Sequence, residues 1–418
     1  MAQPAGGEGD EGLVIDPGQR YRLAQARKHL SRVEGGPAVG IDALDESGPG
    51  VLLQYRAPVD SIPQPAPFCF ENQSQPHLEA ALCEAPLRVG TLNVPVINEA
   101  RLVGPGLVFT RDDMILDTSI GRHAARFGLE VDADGAYGLS SELSALLDGT
   151  ERGVATHQHT ALLLSDPAIR HFGMWVLKCL PRLRLLTLLD ESDVKVVVPA
   201  DVPDKFLTLM EALGVGPERV LFHDPQGVSV FRRLIVPPKM YKPGSCRYGD
   251  PFEVFRTGVG PHPGVPSRLT LPGPGPRRVY VSRRGNRRRP LVNEKAVERL
   301  FIEHGFRVVE PSALSAVETL SLFRDCEHVA GPLGSGLYNI LFSTKAPRAL
   351  ALTPPVTKFE RLFLTIGHVC AAKAGTAGHV FGRMLTDERG PGREFDYSWD
   401  VDLGRVREAL ETLVRTTA

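Results

Sequence analysis

Residues 279–342 read VYVSRRGNRRRPLVNEKAVERLFIEHGFRVVEPSALSAVETLSLFRDCEHVAGPLGSGLYNILF. The apolar run Val279 to Val281 predicts a strand that enters an arginine-dense loop. A helix follows, then a strand over Arg307 to Val309, a second helix, a very short strand near Val329, and a Gly-rich turn opening a third helix. This is a βαβαβα wind, the layout of a nucleotide-binding half-domain. Two of its features suit phosphate: clustered guanidinium groups, and free backbone N–H groups at a Gly-rich helix start.

Working outward, His171 to Leu189 forms a strongly apolar helical stretch interrupted by Pro181, which predicts a kink or a restart with the proline in the first turn. A regular alternation comes next: strand Val194 to Val198, helix Pro203 to Leu213 ended by Gly214, strand Arg219 to Phe222, and an extended run Val228 to Val236. This predicts a first Rossmann-like region. From Leu87, roughly alternating apolar and polar positions with turn signals at Gly104–Gly106 predict hairpins or a meander. Short helices are expected over Tyr21 to His29 and Leu143 to Leu147. The tail ends in an amphipathic helix with Val406, Leu410 and Leu413 on one face.

Composition bounds the classes. A chain of 418 residues exceeds one ordinary core, so two domains are expected. A formal net charge of -1 gives no global attraction to nucleic acid or anionic membrane. The 6 cysteines are scattered without a CxxC pair, which argues against a zinc ribbon or disulfide scaffold and fits a reducing compartment. The start of the chain does not read as a signal peptide. No stretch approaches the ~20 apolar residues of a spanning helix.

The chemistry-bearing residues fall in five groups. In Gly331-Pro332-Leu333-Gly334-Ser335-Gly336, the glycines allow close ligand approach; a plain strand-to-helix turn is the alternative. Ser282, Arg283, Arg284, Arg287, Arg288 and Arg289 follow a strand's carboxyl end, where guanidinium groups can hold phosphate, or simply form a solvated basic loop. Asn293 is placed to cap the next helix, and Ser315 with Glu318 forms a capping box. His157, His159 and His171 are base candidates or polar loop residues, and Arg182 must find a partner within an apolar helix. Asp–X–Asp occurs as Asp132-Ala133-Asp134 and Asp400-Val401-Asp402, neither placed convincingly for a metal.

Together these pieces resemble glycosyltransferase family 61, which includes capsular polysaccharide biosynthesis proteins. The resemblance rests on Tyr280-Val281-Ser282-Arg283, Arg289, Asn293-Glu294, Gly305-Phe306, Pro311, Leu314-Ser315, Glu318, Gly331 through Asn339, and the stretch from His171 to Leu183. It spans about residues 90–410. The family's histidine in the Gly-rich turn is Leu333 here. In the N-terminal motif its asparagine, histidine and acidic residue are His171, Met174 and Lys178.

The resemblance implies an α/β, GT-B-like fold: two Rossmann-like domains facing across a cleft, an N-terminal extended region and a C-terminal helix. The expected division is a disordered tail over 1–15, an acceptor-side domain over 16–240, a Pro/Gly-rich linker over 241–276, a nucleotide-sugar domain over 277–393, and a helix and tail over 394–418. It further implies inverting sugar transfer from a nucleoside-diphosphate sugar to a glycan or lipid-linked acceptor, with no cofactor, no metal and no nucleic-acid partner. The donor would be held by Ser282, Arg283, Arg289, Glu318, Gly334, Ser335, Gly336, Asn339 and Arg182. His171, then His159, are the candidates for the base. The expected location is the cytoplasm, with peripheral contact at the inner membrane face left open. A binding protein that has lost catalysis and a different nucleotide-using Rossmann enzyme, such as an epimerase, are the competing readings.

Overall fold

The computed structural model describes residues 50–71, 85–111, 154–166, 169–189, 191, 193–259, 271, 273–286, 288–355, 360–389 and 397–415, with short strands at 13–15, 23–25, 31–33, 115–116, 129–131 and 137–139. The chain groups into two compact units. The first comprises 1–57, 91–207 and 215–240; the second comprises 58–90, 208–214 and 241–418.

In the first unit, strands β1 (Gly50–Tyr55), β2 (Leu92–Val103) and β3 (Leu107–Phe109) run antiparallel. The turn between β2 and β3 uses Gly104 and Gly106, both at positive φ (57° and 143°). Four further strands are β4 (Ala155–Leu163), β5 (Lys195–Pro199), β6 (Val220–His223) and β7 (Val228–Ile235). They lie parallel in the order β6-β5-β4-β7, and β7 then pairs antiparallel with β2. In chain order the parallel set is 3-2-1-4, the beginning of a doubly wound sheet. Val196, Val197 and Val198 are all buried, as expected of a parallel strand covered on both faces. Helix α1 (Asp204–Ala212) connects β5 to β6, as its periodicity predicts.

The apolar stretch after β4 breaks where the sequence indicates. One α-turn (Phe172–Met174) passes into a π-turn (Trp175–Cys179), then a 3-10 turn (Leu180–Arg184) with Pro181 in its first turn, and finally Leu185–Leu188. Pro181 has no N–H for the ladder, and the Leu180 N–H reaches back to the Trp175 carbonyl instead.

The second unit holds a parallel sheet of β8 (Arg278–Val281), β9 (Arg307–Val309), β10 (His328–Pro332), β11 (Arg348–Thr353) and β12 (Thr376–Phe381). Its order is β9-β8-β10-β11-β12, or 2-1-3-4-5 in chain order. Helices α2 (Glu294–Glu303), α3 (Ala316–Arg324), α4 (Glu360–Ala371) and α5 (Leu403–Arg415) belong to the same unit. Strands β13 (Arg383–Asp387) and β14 (Tyr397–Asp400) form an antiparallel pair.

Several boundaries differ from the sequence reading. Of the expected disordered tail, residues 1–12 lie outside the described residues, whereas Leu13–Ile15 forms a strand paired with Leu23–Gln25. The latter strand replaces part of the helix expected over Tyr21 to His29; its other residues, and the helix expected at Leu143 to Leu147, lie outside the described residues. Residues 58–90, assigned to the first domain, group with the second unit: Cys69–Glu71 adds a sixth parallel strand beside β12. The stretch 241–276 is not a bare linker. It contains the hairpin Tyr241–Lys242 and Ser245–Arg247, which pairs with Leu87–Gly90, while the short helix Val254–Thr257 agrees with the helical content the sequence carries around Pro251 to Thr257. Helix α5 is not a separate tail. Its Val406, Leu410 and Leu413 are fully buried, and Arg348 donates to the carbonyl of Leu413 at 2.8 Å.

Candidate functional site

Strand order fixes where the second unit offers a site. The chain winds in opposite directions from β8 and β10, so their carboxyl ends form the switch-point crevice of a doubly wound sheet. Beyond β8 come Ser282 and Arg283; beyond β10 come Leu333, Gly334, Ser335 and Gly336. The structure brings these two segments into contact, the Arg283 Nη1 donating to the Leu333 carbonyl at 3.2 Å.

The glycines make this approach possible. Gly331 lies at φ 153°, and a Cβ there would stand 2.4 Å from the Val281 carbonyl oxygen. A Cβ on Gly334 would stand 2.5 Å from the Arg283 Nη1, and one on Gly336 would stand 2.8 Å from Val281 Cγ1. The following helix, Ser335–Phe342, is a 3-10 helix. The N–H groups of Ser335 and Gly336, at its start, have no intrahelical carbonyl to meet.

Arg283 is held from behind. Its backbone N–H donates to Glu294 Oε1 at 2.8 Å, and the Tyr280 hydroxyl also reaches that oxygen at 3.4 Å. Glu294 is 2% exposed. Burial first, and Glu298 beside it, push its carboxyl above the ordinary range, while the bond from Arg283 opposes the shift. Arg284 Nε donates to Glu298 Oε1 at 2.9 Å, and the Arg284 N–H meets Ser282 Oγ at 3.3 Å. Ser282 therefore shapes the turn. The Arg283 guanidinium is drawn down to about 10, by burial first and then by the neighbouring charge of Arg289. It remains cationic at neutral pH, and an anion would relieve the repulsion it feels from Arg289.

Arg289 adopts φ 55°, and its carbonyl accepts from the Trp399 indole at 3.1 Å. Strand β14 thus supports the far end of the arginine loop. The Val292 N–H meets the Trp399 carbonyl at 2.8 Å, and Asn293 Nδ2 donates to the Val401 carbonyl at 2.7 Å while its Oδ1 accepts from the Val401 N–H at 3.3 Å. Asn293 sits at the N-cap position of α2 without making the side-chain cap its sequence suggests. Its amide is committed to β14's end instead.

Glu318 forms the expected capping box, accepting from the Ser315 N–H at 2.7 Å. It lies in the first turn of α3, which follows β9, and so belongs to the carboxyl side of the sheet. Asn339 is 1% exposed; its Nδ2 donates to the Gly336 carbonyl at 2.9 Å and its buried Oδ1 has no partner. Leu333, where the resembling family has histidine, is 2% exposed.

The remaining candidates belong to the first unit. Arg182 is buried and its Nη1 donates to the Ser165 carbonyl, just past β4, at 2.6 Å. His171, exposed, begins the helical segment on the same carboxyl side, where its carbonyl accepts from the N–H groups of Met174 and Trp175. His159 stands elsewhere. It pairs with Asp193 at 3.3 Å, level with the residues preceding β5. That is toward the amino side of the first unit's parallel strands, whereas His171 follows their carboxyl side. His157 lies in the same strand, stacked on Phe231 with ring centroids 4.7 Å apart. Arg287, Asp132 and Asp134 lie outside the described residues. Asp400 accepts from Arg383 at 2.8 and 2.9 Å, and Asp402 accepts from the Arg405 N–H at 2.9 Å at the start of α5. Among the described residues no group of three His, Cys, Asp or Glu could hold a metal ion, and no helix is long and apolar enough to cross a membrane.

The sequence reading missed the support behind the arginines. Glu294 enters that reading only within the Asn293-Glu294 pair, and nothing in the sequence shows that its carboxylate holds the Arg283 N–H. The alternating Tyr397-Ser398-Trp399-Asp400 could have been read as a strand, but nothing local says that it docks on residues more than a hundred positions earlier.

The doubly wound sheet carries arginines and a glycine turn at its switch point, an arrangement whose charge and free N–H groups suit an anion. Residues 172–350 match the model of the family described as Glycosyltransferase 61. The matched span includes Arg182, Arg283, Arg289, Glu318 and the Gly-rich turn. Over it, the chain is similar to glycosyltransferase family 61, and the match points to glycosyltransferase activity. No curated protein matches the chain.

Proposed function

We propose that this chain is an inverting glycosyltransferase of GT-B architecture that moves a sugar from a nucleoside-diphosphate sugar to a hydroxyl of a glycan or lipid-linked acceptor. The observation carrying the reading is the contact between Arg283 and the Gly-rich turn at the switch point. In the proposed step the acceptor oxygen attacks the anomeric carbon while the bond from that carbon to the diphosphate oxygen breaks. The bonding pair leaves with the diphosphate, toward Arg283, Arg289 and the N–H groups of Ser335 and Gly336. A base takes the hydroxyl proton, and His171 is the candidate. Glu318 and Asn339 would support the ribose or the loop, and Arg182 would fix the chain beyond β4. No metal or cofactor enters this scheme. Surface or capsular polysaccharide synthesis in the cytoplasm, at or near the inner membrane face, is the setting the reading suggests.

A second reading is favoured by one observation. Buried Leu333 replaces the histidine of the resembling family's turn, which suits a protein that binds nucleotide sugar without transferring it. The test is incubation with a panel of nucleoside-diphosphate sugars and oligosaccharide acceptors, following released nucleoside diphosphate and new glycosidic bonds by mass spectrometry. Transfer in equal amounts of both products, lost in Arg283→Ala, is the expected outcome. Nucleotide binding without transfer across the panel would favour the binding protein.

A further inference from the structure

We propose that the Tyr397 hydroxyl is a donor to the phosphoryl group bound between Arg283 and Arg289. This deepens the donor-site reading above and rests on it. Tyr397 opens β14, the strand that supports the arginine loop through Trp399 and Val401. The residue is 3% exposed, and its hydroxyl oxygen is buried with no hydrogen-bond partner of ordinary geometry. The groups acting on this hydroxyl are guanidiniums. Burial raises its pKa first; against that act Arg289 most strongly and then Arg283, and Arg389 stands over the ring at 5.6 Å from its centroid.

This composition decides what the hydroxyl lacks. A guanidinium has five N–H donors and no acceptor. Arg289 can at most donate toward the phenol oxygen, so the phenol proton has no acceptor among these neighbours. A buried O–H without an acceptor is costly, and a negatively charged oxygen resolves the cost. Arg389 is already paired with Asp387, so its charge is partly answered. The charges of Arg289 and Arg283 both act at the Tyr397 hydroxyl. A phosphoryl oxygen of a nucleoside diphosphate fits that need, and the site then has a neutral donor from β14 beside two cationic ones from the arginine loop.

The test is Tyr397→Phe, which keeps the ring under Arg389 and removes only the hydroxyl. Wild type is titrated calorimetrically with UDP, GDP, CDP and ADP, and with the parent nucleosides. The variant is then titrated with whichever diphosphate binds, and both proteins are melted. The expected result is roughly 10-fold or greater weakening for the diphosphate. Nucleoside binding should be unchanged and the melting temperature unchanged or higher. Equal diphosphate affinity in both proteins overturns the inference while leaving the donor site standing. A lower melting temperature with unchanged diphosphate affinity, or equal weakening for nucleoside and diphosphate, shows a structural hydroxyl and also overturns it. Binding of none of the diphosphates by wild type overturns the donor-site reading and this inference together.

Discussion

At the scale of residues, the account depends on how Arg283 is held. Its guanidinium could be anticipated from its place after a strand; its backing could not, because Glu294 acts through a bond to a main-chain N–H that no pattern encodes. Glu294→Ala removes the acceptor and leaves that N–H without it, so nucleoside-diphosphate affinity should fall roughly 10-fold. Glu294→Gln keeps an acceptor oxygen and should retain most binding. Titration calorimetry on both variants checks this, and equal loss in both would show that charge, not the bond, matters. The pH dependence has a definite sign. The raised carboxyl of Glu294 contributes stability that is fully present below the unfolded value of about 4.5 and lost as pH rises through the folded value. Denaturant midpoints of Glu294→Gln should therefore decline less than those of wild type above that pH.

At the scale of elements, the Gly-rich turn joins two glycines with different reasons to be small. At Gly331 a side chain meets backbone, the Val281 carbonyl, in a positive-φ conformation. Gly331→Ala should destabilise the second unit by roughly 1–3 kcal/mol. At Gly334 the backbone is extended and the obstacle is the end of the flexible Arg283 side chain. Gly334→Ala should leave thermal stability nearly unchanged while displacing the guanidinium and weakening nucleotide binding. Melting curves paired with binding titrations separate the two, and a reversed pattern would contradict the geometry. The strands and helices around this turn were legible because their apolar periodicity is strong, as in β9 and α2. Strand β14 alternates over only four residues, and its docking on the arginine loop was not legible because that partner lies far off in sequence.

At the scale of the whole molecule, both doubly wound patterns could be read from the sequence, since short apolar strands alternate with amphipathic helices in each. The grouping of Cys69–Glu71 with the second unit could not, because strand pairing at such sequence distance leaves no local trace. The second unit also buries His328, His368 and His379, drawn by desolvation to about 4, 4 and 3. Values depressed below the unfolded 6.5 contribute stability that is present above that pH and lost as pH falls toward the folded values. Each contributes a slope of up to about 1.4 kcal/mol per pH unit in that window. Denaturant midpoints should drop steeply between pH 6.5 and 4, and a flat profile would show that these histidines charge without unfolding. The central claim is that the switch point of the second unit holds a nucleoside diphosphate through Arg283. Its most direct test is calorimetric titration of wild type and Arg283→Ala with UDP, GDP, CDP and ADP. The account predicts micromolar binding of one of them, weakened roughly 10- to 100-fold in the variant. Equal affinity in both proteins, or no binding of any of the four by wild type, would contradict it.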